Sequence, residues 1–228
     1  MTNEGGTTQV GGQSRARKSI AVLISGSGTT LKNLLQWRTD KRLIPEIVAV
    51  ISSNPSAPGR RYADEAGIPV RVVDWSSFRD VELFSAAIFD HCRQLAIDWV
   101  VLGGFLKRLT IPPDFTHRVV NIHPSLIPAF CGQGFYGSKV HRAVLDYGCK
   151  LSGCTVHFVD DLYDHGPIIA QVSVPVKHDD TVESLAARVF VQECELYPRV
   201  LNQLAKDCIR VEGRHTVINH LPEPFKEM

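Results

Sequence analysis

Short apolar runs alternate with amphipathic segments along most of this chain. Residues 20–24 form a continuous apolar run that ends at Ser25 and Gly26, which is typical of a strand buried on both faces. The segment that follows carries Leu31 and Leu34 at helical spacing. The pattern therefore predicts a buried strand, a tight turn and a helix.

The same alternation predicts the remaining elements. Further strands are expected at residues 47–51, 70–73, 99–102, 119–122, 155–159 and 168–174, and further helices at 60–66, 81–95 and 139–146. A last helix is expected to be capped by Asp180, with Glu183 completing a capping box. Strands that alternate with helices indicate an α/β fold, with a mostly parallel, twisted sheet flanked by helices on both faces.

The two ends of the chain differ in composition and pattern from its centre. Residues 1–17 contain four glycines and almost nothing apolar, so we expect a disordered leader there. Neither a linker nor an internal repeat divides residues 18–216, which predicts a single domain. Residues 217–228 are expected to form a C-terminal tail.

Composition and charge narrow the class of protein. Of 228 residues, 44% are hydrophobic, and 25 basic side chains stand against 24 acidic ones. This balance argues against a nucleic-acid partner. Because the chain has neither a membrane-spanning apolar stretch nor a secretory signal, we expect a cytoplasmic protein without a membrane partner. The six cysteines contain no C-x-x-C pair, so we expect reduced thiols and no metal site.

A turn rich in small and hydroxyl side chains joins the first predicted strand to the first helix. Such a turn lets backbone N–H groups approach an anion at the helix N-terminus. NAD binding is disfavoured, because Leu31 replaces the third glycine of the dinucleotide fingerprint and the second strand ends without an acidic residue. Two interpretations remain open, a phosphate site or a tight turn in which Ser27 or Thr29 caps the helix.

A second polar cluster is expected at the end of the fifth predicted strand. Asn121 and His123 are two residues apart, so they project to the same side if the strand includes both, and Pro124 ends regular structure there. Asp164 lies in a later loop. An amide, an imidazole and a carboxylate could stabilise the tetrahedral centre of an acyl transfer without a covalent intermediate. The alternative is that Asn121 and His123 only satisfy local hydrogen bonds.

Six motifs in a fixed order give the chain a family resemblance. They are ISGSGT at 24–29, Gly104-Phe105 with Leu109, NIHPSL at 121–126, TVHFVD at 155–160, DHGPII at 164–169, and Gln192-Glu193 with Tyr197-Pro198. Over about residues 18–216 the chain resembles the phosphoribosylglycinamide formyltransferases, a family of folate-dependent enzymes. The resemblance implies a Rossmann-like formyltransferase fold. It also implies formyl transfer from 10-formyltetrahydrofolate to the glycine amine of N1-(5-phospho-D-ribosyl)glycinamide, in purine biosynthesis.

The resemblance further implies roles for individual residues. Asn121 and His123 would stabilise the tetrahedral intermediate, with His123 as proton donor and Asp164 raising its pKa. The residues implied for the ribonucleotide are Gly28, Thr29 and Thr30 at the phosphate, and Glu193. The residues implied for the folate are Asn121, the segment Leu106, Lys107, Arg108 and Leu109, and the segment Asp160, Asp161, Leu162, Tyr163 and Asp164.

The chain departs from the family pattern at several positions. Thr30 stands where many members have Asn, and His165 stands where a small residue is common. Val81 falls where some members have an arginine that pairs with the folate tail, which leaves Arg79 or another basic residue for that contact. Residues 131–137 are either a mobile flap over the substrate or a plain surface loop.

The sequence disfavours three other functions. Methionyl-tRNA formyltransferases carry a further domain, and formyltetrahydrofolate hydrolases carry an additional N-terminal domain and typically a second His where this chain has Pro124. We therefore expect neither activity. A catalytically silent binding module would lack one of the three catalytic residues. Monomer and homodimer both remain open.

Overall fold

A computed structural model describes residues 17–218 and contains the expected alternation of strands and helices. The strands are β1 Ser19–Ile24, β2 Glu46–Ser52, β3 Val70–Val72, β4 Trp99–Leu102, β5 Val119–His123, β6 Leu151–Phe158, β7 Ile168–Pro175, β8 Ile209–Glu212 and β9 His215–Ile218. The α-helices are α1 Thr29–Thr39, α2 Arg60–Glu65, α3 Val81–Gln94, α4 Ser138–Tyr147 and α5 Val182–Ala205. The leader expected at 1–17 and the tail expected at 217–228 lie almost wholly outside the described residues.

One sheet of seven strands organises the fold. Its order is β3-β2-β1-β4-β5-β6-β7. Strands β1 to β5 pair in parallel, whereas β6 runs antiparallel to both β5 and β7. The prediction of a mostly parallel sheet is confirmed.

Alternate side chains of β1 enter two separate hydrophobic cores. Ile20 and Val22 pack with residues of α1 and α5, including Leu34. Leu23 packs on the other side with residues of α3, including Phe84. Helices therefore cover both faces of the sheet, which explains why every residue of β1 is buried.

The start of α5 differs from the prediction. Thr181 is the N-cap, and it forms the capping box with Ser184, so the assignment of the box to Asp180 and Glu183 is wrong by one residue. The carboxylate of Asp180 is instead bound by the guanidinium of Arg188 at 2.7 Å. The same carboxylate also accepts hydrogen bonds from the Ser184 hydroxyl at 2.8 Å and from the Lys177 N–H at 2.7 Å. Its oxygens are thus occupied by these partners, and the hydroxyl of Thr181 caps the helix.

The sequence pattern did not predict the hairpin of β8 and β9. Its two strands pair antiparallel, from Ile209 opposite Ile218 to Glu212 opposite His215. The hairpin is fastened to β7, because the hydroxyl of Thr216 donates a hydrogen bond to the carbonyl oxygen of Ile168 at 2.8 Å. Strand β9 therefore continues past the domain boundary expected at residue 216.

All six cysteines are free, but only Cys92 and Cys154 are buried in the core. Within residues 17–218, no helix is both long and apolar enough to cross a membrane.

Candidate active site

A cleft of about 550 Å³ opens at the carboxyl ends of β1, β4 and β5. Polar groups from consecutive loops converge at such an edge in parallel sheets, as expected from the topology. The cleft is lined by Thr29, Thr30, Leu106, Asn121, His123, Tyr163, Asp164 and Glu193, and by residues of the segment 131–137 before α4, called the flap below.

Asn121 and His123 both belong to β5, which extends one residue further than predicted. Their side chains line the cleft together, as their two-residue spacing requires. His123 is only 4% exposed. The buried strand end therefore holds an amide and an imidazole side by side at the floor of the cleft.

The two ring nitrogens of His123 face different acceptors. Nε2 lies 2.9 Å from the carbonyl oxygen of Phe130, and Nδ1 lies 3.4 Å from Oδ2 of Asp164. A carbonyl oxygen can only accept a hydrogen bond, so we assign a hydrogen to Nε2. Protonation at Nδ1 then gives the imidazolium beside the carboxylate.

Asp164 reaches the same point from the loop between β6 and β7. Its backbone is left-handed, with φ +52°, a conformation that Asp tolerates better than most residues. Its Oδ2 accepts a hydrogen bond from the backbone N–H of Gly132 at 2.9 Å. Burial acts to raise the pKa of Asp164, but the neighbouring His157, the charge of His123 and this N–H outweigh burial and lower it.

Burial also governs the pKa of His123. Loss of solvent lowers the pKa of this histidine below its ordinary value, although Asp164 and the Phe130 carbonyl act to raise it. The resemblance implied that Asp164 raises the pKa of His123. The carboxylate does act in that direction, but it reduces the effect of burial without overcoming it.

His157 lies behind the site and holds Asn121. Its Nδ1 is 2.8 Å from the carbonyl oxygen of Phe158, which assigns the hydrogen to Nδ1. Its Nε2 therefore accepts a hydrogen bond from Nδ2 of Asn121 at 3.2 Å. The second N–H of that amide faces Oδ1 of Asp164 at 3.5 Å, too long for a strong bond, so it remains available to a ligand oxygen.

The glycine-rich turn leads directly into α1. Gly28 is the N-cap, with φ +70° and without a side-chain hydrogen bond to the helix, so neither Ser27 nor Thr29 caps it. A Cβ on Gly28 would lie 2.6 Å from the Cα of Gly59, so glycine is required there. Because Thr29 and Thr30 line the cleft, the uncapped helix start opens towards it.

The two segments expected at the folate enclose a smaller cavity of about 70 Å³. It lies beside the cleft, and both are lined by Phe105, Asn121, Tyr163 and Asp164. Lys107, Arg108 and Leu109 form one wall, and the loop 160–164 forms the other. Leu106 lines the larger cleft instead. The structure thus brings the implied catalytic and folate residues together around two adjoining cavities. Thr29, Thr30 and Glu193 line the larger of the two.

Comparison with known proteins assigns the chain to a family. A family profile described as formyl transferase matches residues 18–201. This chain belongs to the formyl transferase family. A chloroplastic phosphoribosylglycinamide formyltransferase of Vigna unguiculata is 38% identical over 195 residues, which are 85% of this chain and 62% of that protein. The chain thus spans less than two thirds of that relative's length.

Bacterial proteins match this formyl transferase over more of their own length. The phosphoribosylglycinamide formyltransferase of Haemophilus influenzae is 36% identical over 199 residues, which cover 86% of this chain and 91% of the relative. The crystal structure of glycinamide ribonucleotide transformylase 1 from Symbiobacterium toebii superposes with a TM-score of 0.83 at 36% identity. It covers 91% of this chain and 96% of that one. The expected formyltransferase fold is confirmed.

Several cleft residues of this formyl transferase were not singled out from the sequence. Glu183 and Phe190 lie on the first turns of α5, and Phe135 and Tyr136 belong to the flap. His141 lines the cleft from α4, and burial and the nearby His123 lower its pKa. In the sequence these residues are marked only by lying near the glycine-rich segment 131–137 or on the last helix. Many surface residues share such positions, so the pattern did not indicate that these residues line the cleft.

Glu193 gives this formyl transferase a pH-dependent stability. Burial raises the pKa of Glu193 to about 7, whereas a glutamate in an unfolded chain titrates near about 4.3. As the pH rises between these values, the unfolded chain releases the proton first, so the folded state loses stability, and the full penalty is present above about pH 7.

Replacing Glu193 with Gln should therefore raise the thermal midpoint at pH 8 by roughly 7–15 °C if the whole penalty is removed. The gain should shrink at pH 5, where most of the penalty is absent in the original protein. Scanning calorimetry of both proteins at the two pH values checks this. Equal gains at pH 5 and pH 8 would contradict the assignment of the buried carboxyl to Glu193.

Proposed function

We propose that this formyl transferase moves a formyl group from 10-formyltetrahydrofolate to the glycine amine of N1-(5-phospho-D-ribosyl)glycinamide, as a step of purine biosynthesis. The observation that carries the proposal is that Asn121 and Asp164 lie between the two cavities, with His123 beside Asp164 on the side of the larger cleft. This boundary is where a donor on one side and an acceptor on the other would meet. The names of the relatives agree with the acceptor and with the formyl group that is transferred.

The two cavities suit different substrates. The larger one combines the uncapped start of α1, which suits a phosphate, with Glu193, whose ionised carboxylate can accept hydrogen bonds from hydroxyl groups. The smaller one is closed by two loops that offer backbone groups and apolar walls. The two cavities share Asn121 and Asp164 as lining residues, so a bicyclic folate ring in the smaller one would extend past Asn121 into the cleft.

The reaction needs an oxyanion stabiliser and a proton carrier. The amine attacks the formyl carbon, and the electron pair of the C=O bond moves to oxygen. The second N–H of Asn121, which makes only a long contact with Asp164, would donate to that oxygen, and the positive charge of protonated His123 would stabilise it. The C–N bond to the folate then breaks, the folate nitrogen gains a proton, and the former amine loses one. Asp164 favours the imidazolium throughout, because its carboxylate faces Nδ1.

The proposal predicts activity that depends on both substrates. Release of the deformylated folate is followed by absorbance, with 10-formyltetrahydrofolate as donor, in the presence and absence of the ribonucleotide. We expect release only when the ribonucleotide is present. Release without it would indicate a hydrolase, and no release from folded protein that still binds folate would indicate a silent binding module.

A further inference from the structure

His165 follows Asp164 directly, yet the two side chains have different surroundings. Asp164 is 11% exposed and faces His123, whereas the side chain of His165 is 51% exposed. Nδ1 of His165 lies 2.7 Å from Oδ2 of Asp160. The other oxygen of Asp160 accepts a hydrogen bond from the backbone N–H of Leu162 at 3.0 Å. One carboxylate thus ties the beginning of the loop to its middle and to its end.

The hairpin of β8 and β9 supports this tie from outside. Nη1 of Arg214, in the turn of the hairpin, lies 3.4 Å from Nε2 of His165. Nη1 also lies 3.5 Å from Nδ1, so the guanidinium sits over the ring instead of in line with one nitrogen lone pair. The Asp160 carboxylate can only accept a hydrogen bond, so Nδ1 carries the hydrogen that it receives. The hairpin is itself fastened to β7 through Thr216. The loop is therefore linked to a part of the fold that lies outside the cleft.

The backbone conformation of the residues on both sides of His165 is closely restricted. A Cβ on Gly166 would lie 1.9 Å from the carbonyl oxygen of Phe158, so this glycine is packed directly against β6. Asp164 is held in the left-handed region at φ +52°. A displacement of His165 is thus transmitted to Asp164 instead of being relaxed by its neighbours.

We propose that His165 is a positioning residue that acts through Asp164: its bond to Asp160, supported by Arg214, holds the Asp164 carboxylate at the distance from His123 that the reaction requires. The proposal rests on the function proposed above. Misplacing a catalytic group by a fraction of an ångström lowers turnover without removing any reacting group.

Two amide substitutions at the same position separate the tie from the size of the side chain. In His165→Asn the amide nitrogen takes the place of Nδ1 and can still donate to Asp160, whereas in His165→Gln it takes the place of Nε2 and cannot. We expect kcat to fall about three- to tenfold in His165→Gln and to stay within about twofold of the original in His165→Asn. His178→Gln, at a side chain that is 97% exposed, is the matched control and should leave kcat unchanged.

The path through Asp164 is tested by combining variants. In an Asp164→Asn background, His165→Gln should change the single-turnover rate by less than about twofold, because the carboxylate that His165 positions has been removed. A merely structural role would lower the rate in both backgrounds. An equal loss in the two backgrounds, or an unchanged kcat in His165→Gln alone, would overturn the proposal.

Hydrogen exchange tests the tie independently of the reaction. In the full-length protein, the Leu162 amide should exchange faster in His165→Gln than in the original chain or in His165→Asn, because Asp160 is no longer held. If the original protein transfers no formyl group, the proposed function fails while this measurement still decides whether the tie exists. Unchanged exchange in His165→Gln would overturn it.

Discussion

Replacing His123 with Ala should lower kcat for formyl transfer by at least about a hundredfold, since general acid and oxyanion contributions usually reach this size. The substitution removes an imidazole that lines the cleft and whose Nδ1 lies 3.4 Å from the Asp164 carboxylate. The KM for the ribonucleotide should change much less, because the phosphate and ribose contacts proposed at α1 and Glu193 remain.

Steady-state kinetics at saturating concentrations of both substrates tests this expectation. His178→Ala is a suitable control, because it removes an imidazole that is almost fully exposed in the loop before α5. Removing a buried ring leaves a cavity that can destabilise the fold. Circular dichroism of His123→Ala therefore checks that the variant is folded. A folded variant with nearly normal kcat would reject His123 as the proton donor.

The sequence predicted the sheet well wherever a strand is buried on both faces. Residues 20–24 read as one apolar run, and the structure places them in the fully buried β1. Burial on both faces leaves no polar alternation to confuse the pattern. The spacing of Asn121 and His123 worked for a related reason, because a strand fixes which side chains share a face whatever surrounds it.

Features that depend on contacts between distant segments could not be predicted. The role of His157 depends on its pairing opposite Asn121 in neighbouring antiparallel strands, and the motif that contains His157 indicates only a strand. The sequence predicted Asp180 as a helix cap, whereas in the structure its carboxylate is bound by Arg188, eight residues later. In each case a partner outside the local window decides what the polar side chain does.

The flap illustrates the same point at the site itself. Its glycines left a mobile flap and a plain surface loop equally open, and the sequence did not indicate that backbone groups at residues 130 and 132 contact His123 and Asp164. The carbonyl of Phe130 accepts from His123, and the N–H of Gly132 donates to Asp164. Backbone groups carry no sequence signature, so such contacts emerge only when the segments are brought together. These two backbone groups therefore help to orient the imidazole and the carboxylate.

Replacing Asp164 with Asn should lower kcat by at least about a hundredfold while preserving the fold around it. The Asn side chain has nearly the same shape, and its oxygen can still accept the hydrogen bond from Gly132 N–H. What is lost is the negative charge facing Nδ1 of His123. Asp179→Asn, at a side chain that is 71% exposed, removes a carboxylate outside the cleft and should leave kcat unchanged.

The pH dependence separates this electrostatic role from a steric one. Asp164 acts to raise the pKa of His123 against the effect of burial, so its loss lowers that pKa further. Because the protonated imidazole is the active form in this mechanism, the residual kcat of Asp164→Asn should begin to fall at a lower pH than that of the original enzyme. A profile of kcat against pH measures the shift. An unshifted profile with a reduced plateau would indicate that Asp164 contributes through geometry alone, and a shift towards higher pH would reject the stabilisation of the imidazolium.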